Sequence, residues 1–91
     1  MKAGLFLKIF GRVQGVSFRL YALEEAKRLK LNGYIKNGDD GSVEVYAEGD
    51  EENLASFYQW CYQGSPASEV KNIIEKRVDY GGQFNNFVIR Y

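Results

Sequence analysis

Ninety-one residues, 45% hydrophobic and 26% charged, leave room for one globular core and for no second one. Twelve basic residues balance twelve acidic ones, so no overall field draws the chain to nucleic acid or to an acidic membrane surface. The absence of histidine removes the commonest general base and metal ligand. With Cys61 as the lone cysteine it also excludes serine–histidine and cysteine–histidine catalysis, an intrachain disulfide and any recognisable zinc or iron spacing.

The N-terminal MKAGLFLKIFGR is too short and too interrupted for a signal peptide, and no stretch approaches the ~20 apolar residues that span a bilayer. The expectation is a free-standing cytoplasmic domain covering residues 1–91, with no membrane association. Residues 3–10 then predict a strand, with Leu5, Leu7 and Ile9 on one face and Phe6, Lys8 and Phe10 on the other. GRVQGVSFR, residues 11–19, breaks that alternation. Beyond it, Phe18, Ala22, Ala26 and Leu29, with Leu23 beside them, repeat at helical spacing and turn Glu24, Lys27 and Arg28 to solvent. Gly33 opens a short strand over 34–37, and GDDG at 38–41 is a turn.

Residues 42–48 alternate cleanly, predicting Val43, Val45 and Ala47 inward and Ser42, Glu44, Tyr46 and Glu48 outward. Asp50 is placed to N-cap a second helix over 51–62, with Glu51 and Glu52 in its first turn and Leu54, Phe57, Tyr58 and Cys61 along its inner face. GSP at 64–66 marks a loop. Residues 70–80 predict a strand with a charged outer face, Gly81-Gly82 a turn, and 87–91 a last strand. The order is βαββαβ, the final β either continuous or split into a hairpin. This is the α+β pattern of a ferredoxin-like sandwich, two helices on one face of an antiparallel sheet.

The glycine loop carries the chemistry. Gly11 and Gly15 permit φ > 0 and let backbone N–H groups converge, the loop feeds a helix N-terminus, and Arg19 brings a guanidinium fork to the same spot. Two readings stand side by side, an anion site and a plain connecting turn. The loop is neither a GxxxxGK[ST] phosphate loop nor a GxGxxG dinucleotide fingerprint. Asn37, taken alone, is a turn initiator. In the expected topology its amide comes near the loop, where it can orient a water beside a bound anion. Asp39 and Asp40 match no calcium-loop pattern, and turn chemistry accounts for both. Glu44 and Glu48 share a strand face that is expected to be solvated. Seven tyrosines and six phenylalanines fit core and sheet faces, and the acidic SVEVYAE lacks the basic-aromatic signature of RNA-binding sheets. No CxxC is present for a metal chaperone, and Cys61 reads as packing.

GRVQGVSFR at 11–19, GYIKN at 33–37 and DGSVEVYAEG at 40–49, followed by GSPASEV at 64–70 and FVIRY at the end, closely resemble the acylphosphatase family over nearly the whole chain. The resemblance implies hydrolysis of the carboxyl–phosphate anhydride of acyl phosphates to a carboxylate and inorganic phosphate, without metal or other cofactor. It implies that Arg19 and Asn37 are the catalytic pair and that Gln14, Gly15, Val16, Ser17 and Phe18 supply, with Arg19, the groups that cradle phosphate. The implied partners are a small acyl phosphate and the phosphate product, with no nucleic acid and a monomeric chain. Ser17 stands where many members carry glycine or another residue, and its hydroxyl adds a candidate contact. Ser65 replaces one proline of the family's GPP loop at a place expected to be remote from the chemistry. Arg12 is left as a structural or steering charge.

Overall fold

Alternation over residues 3–10 becomes the long strand β1 (Lys2–Arg12), followed by α1 (Phe18–Arg28), β2 (Asn32–Asn37), β3 (Val43–Asp50), α2 (Glu51–Gln63), β4 (Glu69–Val78) and β5 (Phe87–Ile89). A computed structural model describes all of residues 1–91. The five strands form one sheet in the order β4-β1-β3-β2-β5. β1 runs antiparallel to both β3 and β4, β2 runs antiparallel to β3, and β5 runs parallel to β2. The fold is a ferredoxin-like α+β sandwich, its sheet mixed through that one parallel edge.

The core lies between the sheet and the helices. Leu5, Leu7 and Ile9 of β1, Val43, Val45 and Ala47 of β3 and Ile35 of β2 meet Phe18, Ala22 and Ala26 of α1 and Leu54, Phe57 and Cys61 of α2. Each large side chain buried this way contributes about 1.5–3 kcal/mol relative to exposure. The two fully buried alanines let α1 lie close to the strands, so a larger residue at either place would overpack. α1 ends where Lys30 takes a left-handed φ of 58° and the Leu31 N–H reaches the Ala26 carbonyl at 2.9 Å. Asp50 does occupy the N-cap position of α2, but its side chain makes no cap bond. The Glu51 N–H is taken instead by the Met1 carbonyl at 2.9 Å.

Two expectations are corrected. β4 and β5 are not a hairpin. They lie at opposite edges of the sheet, and residues 79–86, including Gly81 and Gly82, connect those edges. The parallel placement buries Phe87 against Phe57, with ring centroids 6.1 Å apart, which pairing with β4 would forfeit. The connection also covers part of the face expected to be solvated. Glu48 is 1% exposed, and its carboxylate accepts from the Tyr46 hydroxyl (2.7 Å) and from the Gly82 and Phe84 N–H groups (3.2 and 3.3 Å). Tyr46 is buried beside it under the Phe84 ring, and burial together with the Glu48 carboxylate pushes its hydroxyl pKa up to about 12. Ser42 is buried as well, its hydroxyl donating to Asp40 at 2.6 Å.

Candidate active site

The site begins where β1 ends. Val13, 2% exposed, pins the chain to the core, and the next residues rise away from it. Gly15 (φ 74°) and Ser17 (φ 62°) are both left-handed. Left-handed residues at alternate positions turn successive N–H groups toward one concavity, a geometry suited to anions. The amides of Gly15 through Arg19 donate to no acceptor in the chain. Ser17 is the N-cap of α1 yet makes no side-chain cap bond, and the first turn of α1 holds no acidic residue. The positive end of the helix is therefore left open. A Cβ built at Gly15 would meet only open space, but φ 74° disfavours any side chain there.

Arg19, in the first turn of α1, is half-buried and forms no ion pair, and its guanidinium lies over the Tyr91 ring at 5.0 Å. A cavity of about 340 Å³ opens here, with Val13, Gly15, Ser17, Arg19, Ile89 and Tyr91 among its walls. No Asp or Glu side chain lines it, and the side-chain charge at its wall is the Arg19 guanidinium.

Asn37 is the last residue of β2, opposite Val43. Its Oδ1 is buried and has no hydrogen-bond partner. An acceptor in that condition costs about 1–3 kcal/mol unless a water or ligand donates to it. Two connections bring this residue and the glycine loop to one end of the sheet. The Gln14 side-chain amide donates both to the Gly38 carbonyl (2.9 Å) and to the Ser42 carbonyl (2.8 Å), tying the loop to the turn that follows Asn37. On the other side, β5 runs along β2 and the Arg90 N–H donates to the Ile35 carbonyl at 2.8 Å, which carries Tyr91 toward the end of β2 and under Arg19.

The turn between β2 and β3 is itself held. Asp40 accepts from the Ser42 hydroxyl and N–H and pairs with Lys8 at 2.9 Å. The Ser42 hydroxyl first, then Lys8, hold the Asp40 carboxyl well below the usual carboxylate range, and Asp40 in turn raises the Lys8 ammonium.

Every site residue expected from the sequence falls on the glycine loop, the start of α1 or the end of β2. Two further roles escaped that reading. Gln14 was expected only among the phosphate-binding residues, whereas its side chain is spent on bracing the Asn37 turn, and nothing in its sequence neighbourhood signals this. Ser65 is not remote: 2% exposed, it donates its hydroxyl to the Val16 carbonyl inside the loop at 2.7 Å. The glycine–serine pair following α2 was the available signal. Arg12 lies exposed at the end of β1.

Fold and loop together define a small α+β protein of ferredoxin-like architecture, with uncommitted amides and a guanidinium gathered at the junction of its first strand and helix. A family model described as Acylphosphatase matches residues 5–89. An acylphosphatase from Actinobacillus pleuropneumoniae is 42% identical over 90 residues, spanning 99% of each chain. The crystal structure of acylphosphatase from Bacillus subtilis matches the whole of both chains at a TM-score of 0.95 and 41% identity. An acylphosphatase structure from Coxiella burnetii matches 98% of this chain and 93% of its own at a TM-score of 0.92 and 28% identity. The chain belongs to the acylphosphatase family.

Proposed function

We propose that residues 1–91 act as a single acylphosphatase domain that hydrolyses acyl phosphates to a carboxylate and inorganic phosphate, with Arg19 and Asn37 as its catalytic residues. The observation that carries the roles is the buried, unpartnered Oδ1 of Asn37 at the same end of the sheet as a loop of uncommitted amides. The phosphoryl group is held by Arg19 and by the backbone N–H groups of residues 14–18. Asn37 Oδ1 accepts a hydrogen bond from the attacking water and holds it in line with the departing carboxylate.

The chemistry suits so sparse a site. A departing carboxylate has a conjugate acid of pKa about 4 and needs no general acid. Phosphoryl transfer through a loose transition state asks chiefly for positioning and for stabilisation of charge on the equatorial oxygens. As the water oxygen bonds to phosphorus, the bond from phosphorus to the acyl oxygen breaks. The water's proton passes to a phosphate oxygen, since no Asp or Glu side chain lines the cavity and the chain has no histidine. The reading extends to a monomer acting in the cytoplasm on a small acyl phosphate. No helix is long and apolar enough to cross a membrane.

The test is phosphate release from benzoyl phosphate with EDTA present, comparing wild type with Arg19→Ala and Asn37→Ala. Each substitution is expected to lower kcat by about 100- to 1000-fold, the scale of removing one transition-state donor or positioning group. A folded wild type without turnover would overturn the activity. Turnover surviving in Asn37→Ala would overturn the account of the water alone.

A further inference from the structure

Ser65 lies 46 residues beyond Arg19, yet its hydroxyl reaches into the middle of the anion-binding loop. The acceptor is the Val16 carbonyl, at 2.7 Å. In a planar trans peptide the C=O and the following N–H point in opposite directions. A hydroxyl that fixes the Val16 carbonyl therefore fixes the Ser17 N–H as well, and aims it away from Ser65. That N–H has no acceptor in the chain, and Ser17 itself lines the open cavity beside Arg19. Donation to the carbonyl also polarises the shared peptide, which strengthens its N–H as a donor.

The support behind Ser65 is firm. Its own carbonyl accepts from the Ser68 hydroxyl (2.7 Å) and the Ser68 N–H (3.0 Å), closing a tight turn after α2. At Gly64 (φ 67°) a Cβ would stand 2.2 Å from the Ser68 hydroxyl and 3.1 Å from the Phe18 ring, so no side chain can be inserted between this turn and the start of α1. The Phe18 ring is held from α2 by Trp60, with centroids 5.6 Å apart. The turn and the loop thus pack as one unit, and the Ser65 hydroxyl is its polar link.

We propose that Ser65 is a positioning residue for the phosphoryl group: through the Val16–Ser17 peptide it orients one of the amides that bind the anion. The proposal rests on the acylphosphatase reading of the loop. Because that amide would contact the phosphoryl oxygens in substrate and transition state alike, its loss weakens binding more than turnover.

The experiment compares wild type, Ser65→Ala and Ser65→Thr by benzoyl phosphate kinetics, inhibition by inorganic phosphate and urea unfolding. Ile73→Val, which trims the core on β4, serves as the control for simple loss of stability. Ser65→Ala is expected to raise KM and the phosphate Ki together by about 5- to 10-fold, with kcat changed less than about twofold. Ser65→Thr, which keeps the hydroxyl, is expected to restore both, and Ile73→Val to move neither. In the wild type, titration with inorganic phosphate is expected to shift the Ser17 amide proton strongly downfield in a ¹H–¹⁵N spectrum.

Ser65→Ala with a lower urea midpoint but wild-type KM and Ki would overturn the proposal, leaving a merely structural bond. If Ser65→Ala does not fold, the wild-type titration decides, and a Ser17 amide unmoved at saturating phosphate overturns it. A wild type that neither turns over nor binds phosphate refutes the functional reading itself, an outcome distinct from an active wild type indifferent to Ser65.

Discussion

Replacing Gln14 tests whether the two halves of the site are mechanically joined. Its side-chain amide makes two hydrogen bonds, at 2.9 and 2.8 Å, to the carbonyls of Gly38 and Ser42. Gln14→Ala removes both donors but leaves the backbone N–H in place. Neither carbonyl is wholly stranded, because the Ser42 carbonyl also accepts from the Gly38 N–H at 2.7 Å and the Gly38 carbonyl from the Gly41 N–H at 3.4 Å. The loss is then that of two ordinary bonds without the full penalty for buried orphans, about 1–2 kcal/mol. For a chain of this length that lowers Tm by roughly 4–15 °C.

Activity should suffer separately. With the brace gone, the turn after Asn37 is no longer registered against the loop, and kcat for benzoyl phosphate is expected to fall about 10-fold, the inorganic phosphate Ki changing much less. Gln14→Glu sharpens the test, since a carboxylate of the same shape would face two carbonyl oxygens. It is expected to be worse than alanine in both Tm and kcat above pH 6. A Ki that rises 10-fold in Gln14→Ala at unchanged kcat would refute the reasoning, for it would mean that the side chain contacts phosphate. So would a glutamate variant as stable as the wild type.

Ser17→Gly should raise stability by about 1 kcal/mol, because Ser17 holds a left-handed conformation that glycine adopts without strain and its side chain makes no cap bond to lose; thermal unfolding checks this, with activity retained. The Asp40 carboxyl is held below its ordinary pKa of 3.8, first by the Ser42 hydroxyl and then by Lys8, so its stabilisation is present above that value and drains away as pH falls through and below it. Urea midpoints should therefore separate wild type from Asp40→Asn at pH 7 and draw steadily closer as pH falls below 3.8, and parallel curves across that range would count against the linkage. Cys61 is fully buried and desolvation raises its thiol pKa, so Ellman's reagent should label it only after unfolding, whereas rapid labelling of native protein would show that α2 opens.

The elements were legible because their faces differ. Leu5, Leu7 and Ile9 alternate with partly or fully exposed neighbours, Phe18, Ala22 and Ala26 recur at helical spacing, and both patterns survive in the fold. Arg19 and Asn37 stood out as candidates only through motifs matched at the right separation, and the fold places them at the start of α1 and the end of β2. Alternation says which residues share a face but not what covers that face. Tyr46 and Glu48 do point away from the helices, as expected, yet residues 79–86 cross over them and turn a solvated carboxylate into a buried clamp. The same crossing hid the parallel β5, because a glycine pair between two strands has the composition of a hairpin turn whether or not the strands pair. Ser65 and Gln14 were missed for a related reason. Each is a neutral side chain bonded to backbone carbonyls 24 to 49 residues away, and such bonds leave no local pattern.

The parallel closure of the sheet has a practical side. Its last strand delivers Tyr91, 99% exposed, to the rim of the cavity beside Arg19, whereas Met1 sits at the opposite end of β1, roughly 30 Å away at the rise of an extended strand. Any peptide or surface attached after Tyr91 emerges over the mouth of that cavity, which on the proposed function is the doorway for substrate. Attached before Met1, it leaves that doorway clear, so immobilised or fused forms of this enzyme should differ in apparent affinity according to which end is tethered.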